Sequence, residues 1–114
     1  MNEIAVEVEY INGIGKGKEY YYKQIIYEGE FLNQLKNGKG KQYWDGKLKF
    51  EGEFINGKRN GKGKQYDDLG NIIFEGEYIN GKKNGKGKEF YPDGELKYEG
   101  KYLNGKRLDK YKFI

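Results

Sequence analysis

The sequence predicts an all-β protein, a single-layer antiparallel β-meander of consecutive hairpins, elongated and twisted. Three observations predict it. A short aromatic–acid–glycine block recurs at a fixed period, apolar and charged residues alternate within each block, and Asn-Gly turn signals separate the blocks.

The block Tyr27-Glu28-Gly29-Glu30-Phe31 returns as Phe50-Glu51-Gly52-Glu53-Phe54, Phe74-Glu75-Gly76-Glu77-Tyr78 and Tyr98-Glu99-Gly100-Lys101-Tyr102. The intervals are 23, 24 and 24 residues. Each block leads into a segment of Asn-Gly-Lys type, and the segments starting at Ile55 and Ile79 match almost residue for residue. One repeat domain over 1–114 follows: a degenerate copy at 6–26, full copies at 27–49, 50–73 and 74–97, and a partial capping copy at 98–114. Atypical terminal copies are expected of caps in a repeat array. Lys110 and Lys112 would protect the last edge from pairing with another chain.

Helix is disfavoured because each full unit carries four or more glycines, each costing about 1 kcal/mol in a helix interior. Period-two alternation puts Tyr27, Gly29 and Phe31 on one face of a strand and Glu28 and Glu30 on the other. The central glycine lies among rings, where it leaves room for a ring from the next strand. Asn-Gly-Lys-x-Asn-Gly reads as a loop, with the second strand running from Lys39 to Tyr43. Tyr43 stands three residues after Gly40, so strict alternation opposes them; either a bulge intervenes or both faces carry rings. Ten strands at roughly 4.8 Å spacing give a ribbon on the order of 45 Å long.

The 114 residues include 19 glycines, 12 tyrosines, six phenylalanines and one tryptophan, so the apolar surface is carried mainly by rings. There is no Cys and no His, which removes disulfides, thiolate ligands and the commonest general base. No signal peptide or apolar span is evident, which suggests a cytoplasmic protein. No cofactor or metal motif appears: Gly-Lys-Gly lacks the spacing of a phosphate loop. A net charge of +4 gives thin support for nucleic acid, and none is expected as a partner.

The pattern Tyr/Phe-Glu-Gly-Glu-Tyr/Phe followed by Asn-Gly-Lys-x-Asn-Gly-Lys-Gly-Lys-x-Tyr resembles the MORN (membrane occupation and recognition nexus) repeat. The likeness covers residues 27–105 well and both ends weakly. It implies a twisted single-layer sheet with an aromatic-lined groove, and a scaffold, adaptor or membrane tether that can self-associate, without catalysis in the repeats. It also implies association with membrane or cytoskeleton. The segment Asp93–Tyr102 is similar to repeats of antitoxin-like, partner-neutralising proteins.

Two sets of residues are candidates for binding. The first is the rings Tyr27, Phe31, Tyr43, Phe50, Phe54, Tyr66, Phe74, Tyr78, Phe90, Tyr98 and Tyr102. They are the only material for a core, yet a single layer cannot cover both faces, so some are expected to line a groove for a protein or peptide. The second is the loop edge of Lys58, Arg59, Lys62, Lys82, Lys83 and Lys86, a cationic margin suited to phosphoinositide and other anionic head groups. Asp45, Asp67, Asp68 and Asp93 fall on the opposite margin. The pairs Glu28/Glu30, Glu51/Glu53 and Glu75/Glu77 recur in every full unit, which suits cross-strand pairing with lysines better than a single active site. The expected function is a non-catalytic scaffold, with membrane tethering and partner neutralisation as alternatives.

Overall fold

A two-residue turn that starts at an asparagine follows each aromatic block, Asn33-Gln34 once and Asn-Gly at 56, 80 and 104, and the result is one open sheet. The computed structural model describes residues 3–108. Ten strands follow one another: β1 (Ile4–Ile11), β2 (Ile14–Tyr21), β3 (Gln24–Leu32), β4 (Leu35–Trp44), β5 (Lys47–Ile55), β6 (Lys58–Tyr66), β7 (Ile72–Ile79), β8 (Lys82–Phe90), β9 (Leu96–Leu103) and β10 (Lys106–Arg107). Spatial order equals chain order, every pairing is antiparallel, and the long axis is 46 Å. Lys110 and Lys112 lie outside the described residues.

Seven of the nine turns are two residues long, and the links 67–71 and 91–95 are five. Asn56-Gly57, Asn80-Gly81 and Asn104-Gly105 have φ near +50° and +84° to +88°, the double left-handed geometry that Asn-Gly adopts most readily. The second Asn-Gly of each unit is not loop, contrary to the sequence reading. Asn60-Gly61 lies inside β6 and Asn84-Gly85 inside β8. There the glycine makes a bulge, with φ of +104° at Gly61 and +99° at Gly85. The Glu53 carboxylate accepts the Lys62 N–H at 2.7 Å, and Glu77 accepts that of Lys86 at 2.7 Å, so the backbone group freed by the bulge is satisfied.

These two Asn-Gly pairs also stitch repeats together. Asn60 accepts the Asn80 N–H at 3.1 Å, while Gly81 donates to the Arg59 carbonyl at 2.8 Å. Asn84 and Lys83 receive Asn104 and Gly105 in the same way, at 3.3 and 2.8 Å. The opposite link at Asp67 is held by its own side chain, which accepts the N–H groups of Leu69 and Asn71 at 2.9 Å.

Eight rings form the core: Tyr27, Phe31, Phe50, Phe54, Phe74, Tyr78, Tyr98 and Tyr102, all between 0% and 5% exposed. They contact one another edge to face, with centroids 5.2–5.8 Å apart. Such geometry adds about 0.5–1.5 kcal/mol per pair beyond burial. Between them runs a cross-strand row of glycines, Gly17, Gly29, Gly40, Gly52, Gly63, Gly76, Gly87 and Gly100. A Cβ on Gly87 would lie 2.7 Å from two atoms of the Phe74 ring, so the rings lie on bare backbone as expected.

Candidate functional site

The face opposite the rings is open. On it, the residues flanking the glycine row form two lanes of alternating charge. One lane runs Lys18, Glu28, Lys41, Glu51, Lys64, Glu75, Lys88 and Glu99 through successive strand pairings. The other contains Lys16 opposite Glu30, Lys39 opposite Glu53, and Lys62 opposite Glu77. Of the carboxylate pairs, Glu28 and Glu75 meet cross-strand lysines, whereas Glu30, Glu53 and Glu77 accept the backbone N–H groups of Lys39, Lys62 and Lys86. The cross-strand bonds are long and exposed: Lys18–Glu28 is 3.8 Å, Lys64–Glu75 3.9 Å and Lys88–Glu99 4.0 Å. These pairs hold little energy, and their side chains stay free to meet another molecule.

The lanes and the glycine floor enclose a trough of about 2120 Å³ that crosses the sheet from Lys16 to Lys101. Small-molecule sites usually occupy roughly 300–1,000 Å³. A trough this large and open suits a macromolecular segment. Nine lysines and seven glutamates line it, so mixed charge with a slight acidic excess is complementary.

Apolar residues border the trough on both sides. Towards the Asn-Gly turns, Leu32, Ile55, Ile79 and Leu103 each follow a buried ring and are 39–53% exposed. Alternation places them on the trough face. On the other side, Tyr43 pairs with Leu48, Tyr66 with Ile72 and Phe90 with Leu96. The Tyr43 hydroxyl donates to Glu28 at 3.4 Å, and the Tyr66 hydroxyl donates to Glu51. Burial, followed by the Glu51 carboxylate, pushes the Tyr66 hydroxyl up to about 12. Both alternatives raised by the spacing of Gly40 and Tyr43 are realised: rings occupy both faces, and the register shifts between Gln42 and Tyr43.

Of the eleven rings expected to line a groove, Tyr27, Phe31, Phe50, Phe54, Phe74, Tyr78, Tyr98 and Tyr102 are core, while Tyr43, Tyr66 and Phe90 are half-buried on the trough face. The open surface is floored by glycine and walled by charge because the rings lie beneath the sheet. The six residues of the expected basic edge separate as well. Lys58 and Lys82 begin strands beside the turns, Lys62 and Lys86 line the trough, and Arg59 and Lys83 fold over the rings of the other face. Bulges cause this separation by changing which face each residue meets. Trp44, at the end of β4, is 56% exposed and stacked on Tyr21 at 5.8 Å; as the one Trp of the sequence it carries no repeat signal.

The ring face carries its own cations, one per repeat. Lys36 lies 5.2 Å from the Tyr27 centroid, Arg59 4.0 Å from Phe50, Lys83 4.2 Å from Phe74 and Arg107 4.3 Å from Tyr98. Their polar partners occupy one equivalent position. Glu19 pairs with Lys36 at 3.2 Å, Gln42 accepts from Arg59 at 2.8 Å, and Glu89 takes two bonds from Arg107 at 2.7 and 2.9 Å. Those bonds, first among several causes, hold the Glu89 carboxyl down to about 2.

Among the described residues no group of His, Cys, Asp and Glu is arranged to hold a metal ion. No curated protein matches the chain. The family model of the MORN repeat matches residues 27–47, 50–68 and 74–95, three consecutive stretches covering more than half the chain. MORN repeats are in general non-catalytic modules of protein or membrane interaction. With the hairpin meander, the period and the family match in agreement, the chain belongs to the MORN repeat family.

Proposed function

We propose that this chain is a non-catalytic protein-interaction module and that a partner segment docks in the glycine-floored trough. The observation that carries this reading is the trough itself, continuous across the repeats and bordered by exposed Leu32, Ile55, Ile79 and Leu103. Apolar rows beside loosely paired charges give a partner both buried area and register. The experiment is affinity capture with wild type beside Ile55→Asp/Ile79→Asp and a charge-inverted Lys64→Glu/Glu75→Lys protein, whose exposed pair lines the trough without holding the bulge. Proteins retained by wild type and lost from both variants, with far-UV spectra unchanged, support docking in the trough. Retention by both variants refutes it.

A second reading, tethering to anionic membranes, is favoured by one observation. Cross-strand pairs Ile55/Lys58, Ile79/Lys82 and Leu103/Lys106 set an exposed aliphatic beside an exposed lysine at each turn. An apolar tip with basic neighbours suits a bilayer surface. Sedimentation with phosphoinositide vesicles that weakens with salt and with Lys58→Glu/Lys82→Glu supports it. Absence of sedimentation at low salt removes it.

A further inference from the structure

We propose that Arg59, Tyr78 and Lys83 form a carboxylate-binding site on the ring-bearing face, away from the trough. The three residues come from adjacent strands β6, β7 and β8, and Lys83 is the direct cross-strand partner of Tyr78. The Arg59 guanidinium lies 5.8 Å from the Tyr78 ring centroid.

The next repeat shows what such a place holds. There Glu89 accepts the Tyr102 hydroxyl and two bonds from Arg107, and its charge also acts on Lys83. One repeat earlier the equivalents of Tyr102, Arg107 and Glu89 are Tyr78, Lys83 and Gln65. The donors remain but the carboxylate is gone. Tyr78 is 3% exposed and its hydroxyl has no hydrogen-bond partner. Arg59 is beside it, but a guanidinium only donates and cannot accept that proton. Among the described residues Lys83 makes no ion pair, whereas Lys36 and Arg107 each hold a carboxylate. Burial and the neighbouring charges of Arg107 and Arg59 depress the Lys83 pKa against the opposing pull of Glu89. Two half-buried cations, of which Arg59 gives only its Nε–H to Gln42, and an orphaned hydroxyl therefore lie together with no carboxylate between them. A carboxylate supplies two oxygens for three donors, and a buried unsatisfied donor raises the return on binding it. A free organic acid and an acidic side chain of a partner share this chemistry.

The test is an NMR titration with sodium acetate against sodium chloride at matched ionic strength, reading the Arg59 Nε–H and Lys83 Nζ signals. Lys36 and Arg107 are internal controls. Saturable shifts confined to Arg59 and Lys83 are expected. Tyr78→Phe should weaken acetate binding about tenfold, the value of one hydrogen bond to a charged group. Gln65→Glu should abolish the response, because the new carboxylate occupies the site. A second arm uses a glutamate-containing peptide. Tighter Gln65→Glu-sensitive binding than acetate assigns the source to a partner protein, and equal affinity assigns it to free acids. Shifts of equal size at Lys36 and Arg107, or responses in both arms that persist in Gln65→Glu, overturn the proposal. Because the site lies on the opposite face, its failure leaves docking in the trough untouched, and Ile55→Asp/Ile79→Asp should bind acetate as wild type does.

Discussion

Replacing Gly87 with alanine is expected to destabilise the fold by about 1–2 kcal/mol. Gly87 lies within β8 and has no left-handed φ, so the backbone itself admits alanine. The new Cβ, however, would lie 2.7 Å from both Cε1 and Cζ of Phe74 and 2.8 Å from Cε1 of Tyr102. Comfortable carbon–carbon contact is about 3.5–4.0 Å, so the rings must withdraw by roughly 1 Å. Phe74 has nowhere to go. It packs edge-on against Tyr78 at 5.6 Å and Tyr102 at 5.3 Å, with the Lys83 ammonium 4.2 Å from its centroid. Overpacking costs about 1–3 kcal/mol, and removing glycine's excess freedom in the unfolded chain offsets about 0.5–1 kcal/mol of it. The expected fall in Tm is roughly 5–15 °C for a domain of this size, read by far-UV circular dichroism. Phe74→Leu shortens the ring that is struck, so in the double variant the two costs should fall short of their sum by about 0.5–3 kcal/mol. A Gly87→Ala protein as stable as wild type, or strictly additive costs, would refute the stacking of rings on glycine.

Tyr66→Phe should flatten the alkaline limb of stability. The folded hydroxyl is held neutral up to about 12, whereas in the unfolded chain it ionises near 10, so its contribution is intact below pH 10 and disappears as pH rises towards 12. Phe90 already stands at the equivalent place, so the variant should fold, and urea titrations at pH 9 and 11 check the difference. Glu89→Gln should flatten the acid limb: with its carboxyl held at about 2, the stabilisation is complete above about 4.5 and is lost as pH falls through 2. Melts of both proteins between pH 2 and 6 should converge at the acid end. Lys64→Ala, which breaks the exposed 3.9 Å pair with Glu75, should change stability by less than about 1 kcal/mol in chemical denaturation.

The strand order and the ring–glycine pattern were legible in the sequence because alternation and the 23–24 residue period both act locally. The strand limits were less so. Asn56-Gly57 and Asn60-Gly61 are the same dipeptide, and both glycines have positive φ. One turns the chain and the other bulges a strand. What separates them is the Glu53 carboxylate, nine residues before the Lys62 N–H that it accepts. Each bulge then moves later side chains to a different face, which is why Tyr66 meets Glu51 in the trough while Arg59 rests on Phe50. The basic residues therefore read as one edge in sequence and occupy three environments in space. The orphaned Tyr78 hydroxyl was hidden for another reason: it depends on Gln65 and Tyr78 falling together, since the repeat with Gln42 at the equivalent place carries Phe54, which has no hydroxyl.

Both proposed binding surfaces require one side of the sheet to be sealed by rings while the other lies bare along its glycines. Phe54 and Ile55, neighbours in β5 at 1% and 49% exposure, report on the two sides from adjacent positions. Relaxation of their side-chain protons by an inert gadolinium chelate in solution measures this directly. The methyls of Ile55 and Ile79 are expected to relax strongly, with the ring protons of Phe54 and Phe74 protected. Equal relaxation of rings and methyls, or protected methyls beside relaxed rings, would contradict it.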